Sequence, residues 1–475
     1  MDIRRIIQNF SVAIVAQGVS LAMSIASTLI VPKILGVEEY GYWQLFVFYC
    51  SYCGIFQLGL DDGVYLINGG KTRDNLDKPS LASQFWVGQA YQWAISAVVI
   101  AIALLGDFGQ ERTFVIICTA VFVIVQTVAY YFGYILQAVD ETKKFSYSTM
   151  VERGAYLVPL VVFIITRNPN FEPYVIAYIF SSVVQVAYCA WQLRDVMSAK
   201  LMPIDRALKD TLLSIKVGSQ LMFANVASSL AVGFARFAID AAWGIMTFGT
   251  LSLALSMVTY FLQFISQASM VLFPALRKYG AAELKKFIVS LRDFMGLLFP
   301  GVYLLYFPVA WLLGMWLPQY ASSFEYLALL LPICVFDSRM NLICTTYFKV
   351  ARRETLLLLI NIVAAGSSLG LSLFGATVLK SLYFVIGSMV VTIIVRSIVS
   401  ERIVSTELGA GRNHLLVPEL ALTCIFVVLA RSLSYLPALG LYALVYVSYL
   451  VIFRKDALRV IGLLQHGMRK ESEAQ

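Results

Sequence analysis

Residues 14–48, IVAQGVSLAMSIASTLIVPKILGVEEYGYWQLFVF, align without a gap to residues 222–256, MFANVASSLAVGFARFAIDAAWGIMTFGTLSLALS, at an offset of 208. Ala16 meets Ala224, Ser20 meets Ser228, Gly36 meets Gly244, Gly41 meets Gly249 and Leu45 meets Leu253. Tyr40 also faces Phe248, and Gln17 faces Asn225. Each stretch is a pair of apolar runs joined at a turn, and the matched glycines bracket that turn. Recurrence of one such unit at a fixed offset marks an internally duplicated architecture.

The rest of the chain says what solvent the unit lives in. Of 475 residues, 60% are hydrophobic and only 13% are charged, about half the charge of a soluble domain. The mean hydropathy is +0.78. Water would leave too much of this apolar surface uncovered, so the solvent is lipid and the chain is an integral membrane protein. A crossing helix needs about 20 apolar residues. Fourteen stretches qualify: 10–32, 41–62, 83–105, 113–138, 148–166, 173–193, 214–238, 243–273, 288–316, 323–348, 355–375, 379–400, 415–434 and 437–453. The first follows MDIRR without a cleavage motif and reads as an uncleaved helix.

With the N-terminus inside, 27 of the 36 Lys and Arg fall in cytoplasmic segments or the span ends that border them and five in outer loops or their bordering span ends, with Arg153, Arg236, Arg339 and Arg396 left inside spans. The positive-inside rule predicts this bias, and it places both termini in the cytoplasm. It also accounts for the net charge of +8 without nucleic acid. No phosphate-binding G-x-x-x-x-G-K-[ST] loop occurs, which argues against a nucleotide partner. The two histidines, His414 and His466, have no ligand-spaced neighbours, and the seven cysteines lie in apolar runs, Cys50 and Cys53 as packing residues. No catalytic constellation or metal site is legible, so the chain reads as a non-enzyme that needs no cofactor beyond a proton or sodium gradient.

The offset of 208 spans six helices, an even number, so the two halves share orientation and form a parallel repeat. The expected fold is all-α: an N-lobe of six spans (1–199), a cytoplasmic linker (200–213) and a C-lobe of six spans (214–400). A cytoplasmic loop (401–414), two appended spans (415–453) and a cytoplasmic tail (454–475) complete it. The segments KLMPIDRALKDTLLSIK (200–216) and RKDALRVIGLLQHGMRK (454–470) have apolar residues at helical spacing among basic ones. Each fits a helix lying on the inner membrane surface or, equally, one that continues a span.

Three strings resemble polysaccharide flippases of the multidrug/oligosaccharidyl-lipid/polysaccharide (MOP) exporter superfamily. They are PKILGVEEYGYWQLFVF at the first outer turn, LGLDDGVYLINGGK (58–71) and WLLGMWLPQYASSFEYLALLLP (311–332). The resemblance implies an O-antigen-type (Wzx-like) carrier in the inner (cytoplasmic) membrane that moves a polyprenyl-pyrophosphate-linked oligosaccharide by alternating access. Capsule or exopolysaccharide assembly is served by the same class. Membrane lipid and glycan polymerase machinery are the implied partners, and spans 1, 2, 7 and 8 the implied cleft. A cation-coupled multidrug exporter of the same fold and a non-transporting scaffold of glycan assembly are the alternatives.

Ionisable residues inside spans are functional candidates by default. Arg236 and Asp240 stand one turn apart and can meet, either at substrate phosphate or as a structural pair. Gln17, Gln57, Asn225, Gln263 and Gln267 on spans 1, 2, 7 and 8 suit sugar hydroxyls or helix–helix hydrogen bonds. Asp337 and Arg339, at i,i+2, face apart and need partners elsewhere; Asp337 is the coupling-ion candidate, against a structural ion pair for both. Glu152, Arg153 and Arg396 lie near span ends and read as snorkelling groups. Asp61 and Asp62 fall where a 20-residue span from Gly41 would end, so they read as hydrated boundary residues near Lys71 and Arg73, with a gate as the functional alternative.

Overall fold

The computed structural model describes residues 3–276, 281–456 and Leu458, with side chains described for Ser24, 27–266, 282–456 and Leu458. Among them there is no strand. The helices are α1 (Ile3–Cys50), α2 (Leu60–Asn68), α3 (Lys78–Leu105), α4 (Gln110–Ala138), α5 (Thr142–Thr166), α6 (Glu172–Gln192), α7 (Arg194–Met197) and α8 (Ile204–Leu276). They continue as α9 (Ala281–Leu298), α10 (Val302–Trp316), α11 (Ala321–Leu330), α12 (Pro332–Arg339), α13 (Thr346–Val350), α14 (Glu354–Thr377), α15 (Leu382–Glu407), α16 (Leu416–Ser432) and α17 (Tyr435–Ile452). Ten helical stretches among the described residues are long and apolar enough to cross a membrane. Many outward side chains are large and apolar, among them Leu105, Ile165 and Leu436, as lipid contact requires.

α1 and α8, at 48 and 73 residues, are too long for one crossing of a core about 30 Å thick. Each breaks at a matched glycine. Gly36 has φ 78°, ψ 177° and Gly244 has φ 78°, ψ −178°, a region that is essentially glycine-only. The repeat aligned on sequence thus recurs as the same backbone conformation. The second matched pair is a contact: a Cβ on Gly249 would stand 2.8 Å from Gly41 Cα, and one on Gly41 2.6 Å from the Ile245 carbonyl oxygen.

The chain forms two compact units, residues 1–230 with 243–252, and residues 231–242 with 253–475. The first packs Leu60, Val64, Phe85, Phe132 and Ile135 into one apolar core. Trp43 stacks on Tyr156 at 6.3 Å and meets Tyr178 edge-on. Its polar clip is Arg73, which bridges Glu141 and Asp195, with Lys78 also on Asp195 at 2.8 Å. The hydrogen bond from Arg73 holds the Asp195 carboxyl well below the usual carboxylate range.

In the second unit α17 lies along the junction of α9 and α10. Pro300 has no N–H for the Gly296 carbonyl one turn back. Tyr449 Oη donates to that carbonyl at 2.9 Å, while Tyr446 and Tyr442 donate to Leu297 O and Pro300 O, each at 2.9 Å. Side chains that re-satisfy freed carbonyls are what make a proline break tolerable in lipid. Tyr303 stacks on Phe426 of α16 at 4.5 Å.

Of the two amphipathic segments, 200–216 follows the second alternative, because α8 starts at Ile204 and runs on into the next span. Most of 454–470 lies outside the described residues.

Candidate functional site

The second apolar run does not stay helical to its end. After Cys50 the chain turns through 51–59, where Leu58 and Gly59 both take left-handed conformations (φ 55° and 88°), and helix resumes at Leu60. Leu at positive φ is uncommon and is held here by its surroundings. The carbonyls released by the break are taken up by α3: Gln92 Nε2 donates to Phe56 O at 2.6 Å and Tyr91 Oη to Gln57 O at 3.0 Å. Three glycines bring α2 and α8 into backbone contact. A Cβ on Gly63 would sit 1.8 Å from Ser214 O, and one on Gly218 2.0 Å from Gly59 O.

The break opens a cavity of mixed lining, ≈230 Å³, within the first unit. Its lining includes Ser51, Tyr52, Gln57, Asp62, Tyr130, Tyr134, Asn225 and Ser229. Tyr52 Oη donates to Ser229 O at 3.2 Å, and the Tyr134 hydroxyl lies at the Asp62 carboxylate. Gln57 is buried, and its Nε2 has no hydrogen-bond partner in the protein. A buried amide donor left in that state is costly. Hydroxyls, amides, one carboxylate and tyrosine rings therefore converge on a space smaller than a drug-sized site.

This corrects the reading of Asp61 as a hydrated boundary residue. Asp61 is 2% exposed and its Oδ2 has no hydrogen-bond partner. Lys71 instead donates to Asn68, and Arg73 binds Glu141 and Asp195. Counting 20 residues for the span assumed an unbroken helix. The turn at 51–59 breaks it, and the glycine crossing then encloses Asp61.

The second unit carries a buried charge cluster. Arg339 forms ion pairs with Glu401 at 3.2 Å and with Glu419. Arg396 pairs with Asp337, which also accepts from Asn341 Nδ2 at 3.2 Å. Asn413 donates to Glu401 at 2.8 Å. Arg339 and Asp337 do find partners on other helices, as their spacing requires. Arg396 does not snorkel: it is buried against Asp337. Glu152 is likewise buried rather than snorkelling, with Ser182 beside its carboxyl. After Arg339 the helix widens into a π-helical turn, Met340–Thr345, a deviation frequent at functional positions.

The structure brings Gln57, Asn225 and Asp62 together at one cavity of the first unit. Arg236 is half-buried and Asp240 buried, one turn apart on α8. Gln263 is exposed. The side chains of Gln17 and Gln267 lie outside the described residues. Sequence reasoning missed Tyr52, Tyr130 and Tyr134, because 26 Tyr and 31 Phe make any one aromatic unremarked. It also passed over Glu419, whose signal was visible: an acid within the apolar run 415–434. No trio of His, Cys, Asp or Glu among the described residues could hold a metal ion.

This all-helical, two-unit architecture is that of a known class of membrane transporter. No family model and no curated protein matches the sequence, but solved structures match the fold. An inward-facing conformation of a multidrug resistance MATE family transporter of the MOP superfamily aligns with a TM-score of 0.63 at 15% identity, over 82% of this chain and 95% of that one. An outward-facing conformation of such a transporter gives 0.53 at 15% identity, over 86% and 95%. A crystal structure of a MATE P26A mutant gives 0.53 at 16%, over 86% and 96%. The chain has the MATE-like fold of MOP-superfamily transporters.

Proposed function

We propose that the protein is a flippase for a polyprenyl-pyrophosphate-linked oligosaccharide, working by alternating access in the cytoplasmic membrane with both termini inside. The observation that carries this reading is the cavity at the 51–59 break. Its hydroxyl, amide and carboxylate groups are the hydrogen-bonding repertoire that sugar hydroxyls require. Its size suits a single sugar ring rather than a whole repeat unit. In this reading Gln57, Asn225 and Asp62 hold sugar. Gln17, Gln263 and Gln267 are further sugar contacts, Arg236 with Asp240 handles phosphate, and Asp61 with Asp62 gates access. A coupling role for Asp337 or Arg339 requires their ion pairs to open during transport.

The test is deletion of the gene with analysis of lipid-linked intermediates. The expected result is accumulation of complete lipid-linked repeat units on the cytoplasmic side, reversed by the wild-type gene and not by Gln57→Ala/Asn225→Ala protein that still inserts. An unchanged lipid-linked pool refutes flipping. The fold favours one rival, multidrug export, which predicts instead drug hypersensitivity with an intact surface glycan.

A further inference from the structure

The charge cluster of the second unit does not balance. Arg292 of α9 pairs with its neighbour Asp293 at 3.5 Å, and Arg396 of α15 pairs with Asp337 of α12. The third guanidinium, Arg339, serves two acids at once, Glu401 of α15 at 3.2 Å and Glu419 of α16. Four carboxylates thus stand against three guanidiniums, and the surplus acid belongs to the Arg339 trio. Cys344, in the π-helical turn, lies within electrostatic reach of Arg339, Arg396 and Glu401 together, so the Arg396 pair and the trio share one environment. Beside α16, His414 is taken by Asp456 at 3.1 Å. Among the described residues Arg339 is the only cation paired with Glu401 or Glu419.

Hydrogen bonds do not make up the deficit at Glu419. Glu401 accepts from Asn413 at 2.8 Å as well as facing Arg339. Glu419 has Arg339 alone, because the hydroxyls near it are committed elsewhere. Tyr303 of α10 and Tyr449 of α17 both stand within its electrostatic reach. Thr423 Oγ1 donates to the Glu419 backbone carbonyl at 2.8 Å, which makes Tyr303 Oη the donor in its 3.0 Å bond to Thr423 Oγ1. Tyr449 Oη donates to Gly296 O. Arg339 and Glu419 are each 0% exposed and Glu401 4%. A surplus negative charge in such surroundings is strongly disfavoured unless a counter-charge removes it. No trio of His, Cys, Asp or Glu among the described residues is arranged to hold a metal ion. The counter-charge that fits is a proton.

We propose that the Glu401–Arg339–Glu419 trio is a proton-binding site, in which two carboxylates divide one guanidinium and one proton between them. Uptake of that proton forms one O–H bond on a carboxylate oxygen and leaves the trio neutral. Arg339 and Glu401 belong to the second six-span half, whereas Glu419 stands on the first of the two appended spans. The proton therefore lets α16 dock against α12 and α15 without burying a net charge. The site does not depend on what the protein carries.

The test is infrared difference spectroscopy of the full-length protein in vesicles at neutral pH. A protonated carboxylic acid has a C=O stretch distinct from carboxylate and amide absorption. Other protonated acids cancel when each variant is subtracted from wild type at equal amide intensity. The proposal expects Glu419→Gln and Glu401→Gln each to lose the band of one carboxylic acid, since either leaves one acid for one guanidinium. Glutamine keeps the shape of each side chain. Should a single variant fail to insert, Arg339→Leu/Glu401→Leu/Glu419→Leu, which leaves none of the trio's charges behind, should lose the same one band. Variants that lose no band show both acids ionised in the wild type and overturn the proposal. Loss in Glu419→Gln with retention in Glu401→Gln, or the reverse, shows a proton fixed on one acid whatever its rival and refutes the sharing. Loss of two bands from the triple variant shows both acids protonated beside Arg339 and also overturns it.

Discussion

Replacing Arg339 should harm the fold far more than replacing either carboxylate it binds. The guanidinium is 1% exposed, and it serves Glu419 at 0% and Glu401 at 5%. Arg339→Leu leaves two acids facing each other without a cation. Removing one member of a buried pair costs about 3–5 kcal/mol. Glu419→Gln keeps the Arg339–Glu401 pair and one neutral acceptor, so its cost is nearer that of a weakened hydrogen bond, about 1–3 kcal/mol. For a unit of this size 1 kcal/mol shifts the midpoint by about 2–4 °C, so Arg339→Leu should lower it by roughly 6–20 °C. The assay is thermal unfolding in detergent at one fixed scan rate, since such unfolding is commonly irreversible. A third variant, Arg339→Leu/Glu401→Leu/Glu419→Leu, should recover much of the loss, because an apolar replacement of a whole buried triad is often neutral or better. The reasoning fails if Arg339→Leu melts within a degree or two of wild type, or if the triple variant melts below it.

Gly244→Ala and Gly36→Ala should each cost about 1–3 kcal/mol from backbone strain alone, because neither glycine has an atom near its Cβ position; equal midpoints for variant and wild type would contradict this. Tyr449→Phe should cost about 1–3 kcal/mol by leaving the Gly296 carbonyl unsatisfied, whereas Tyr449→Phe in a Pro300→Ala background should cost less, a coupling that a double-mutant cycle of unfolding midpoints reads directly. The Arg73–Asp195 clip should resist acid. A depressed carboxyl pKa contributes stability that is complete above its unfolded value of about 3.9 and lost only as pH falls through the lower folded value. Tryptic cleavage at Arg73, taken relative to an unstructured arginine peptide at the same pH, should therefore be unchanged between pH 8 and pH 6, and relatively faster cleavage at pH 6 would contradict the clip. Gly63→Ala should disrupt the α2–α8 crossing outright, since its Cβ would overlap Ser214 O; a wild-type unfolding midpoint for this variant would show that the crossing opens freely.

The duplicated turn was legible because the feature that recurs, glycine at a glycine-only conformation, is written in residue identity. Gly36 and Gly244 could be paired without coordinates, and their dihedrals agree. The solvent was legible for a similar reason, since composition alone excludes water. Long-range partnership was not. Arg396 lies near the end of an apolar run, and its acid stands 59 residues away, so a snorkelling side chain and a buried ion pair look identical in sequence. Asp61 was misplaced because hydrophobic length measures a helix only while the helix is unbroken, and nothing in SYCGIFQLG (51–59) announces two left-handed residues in succession. Gln57 and Asn225 were visible as polar residues within apolar runs. That Tyr130 and Tyr134 join them depended on which way α4 turns its face, and α4 is apolar nearly all round.

The Arg339–Glu419 ion pair also imposes a schedule on synthesis. Its two members are 80 residues apart, and at about 5–20 residues per second the arginine is made roughly 4–16 s before the glutamate. During that interval the tenth span must enter or wait beside the membrane with a guanidinium worth about 2.5–3.5 kcal/mol against insertion at a helix centre. Glu401 relieves it first and Glu419 completes it. The last helices are thus the delayed half of a contact begun much earlier. A nascent chain stalled before residue 401 should remain bound to the insertion machinery, or be degraded, rather than diffuse into lipid.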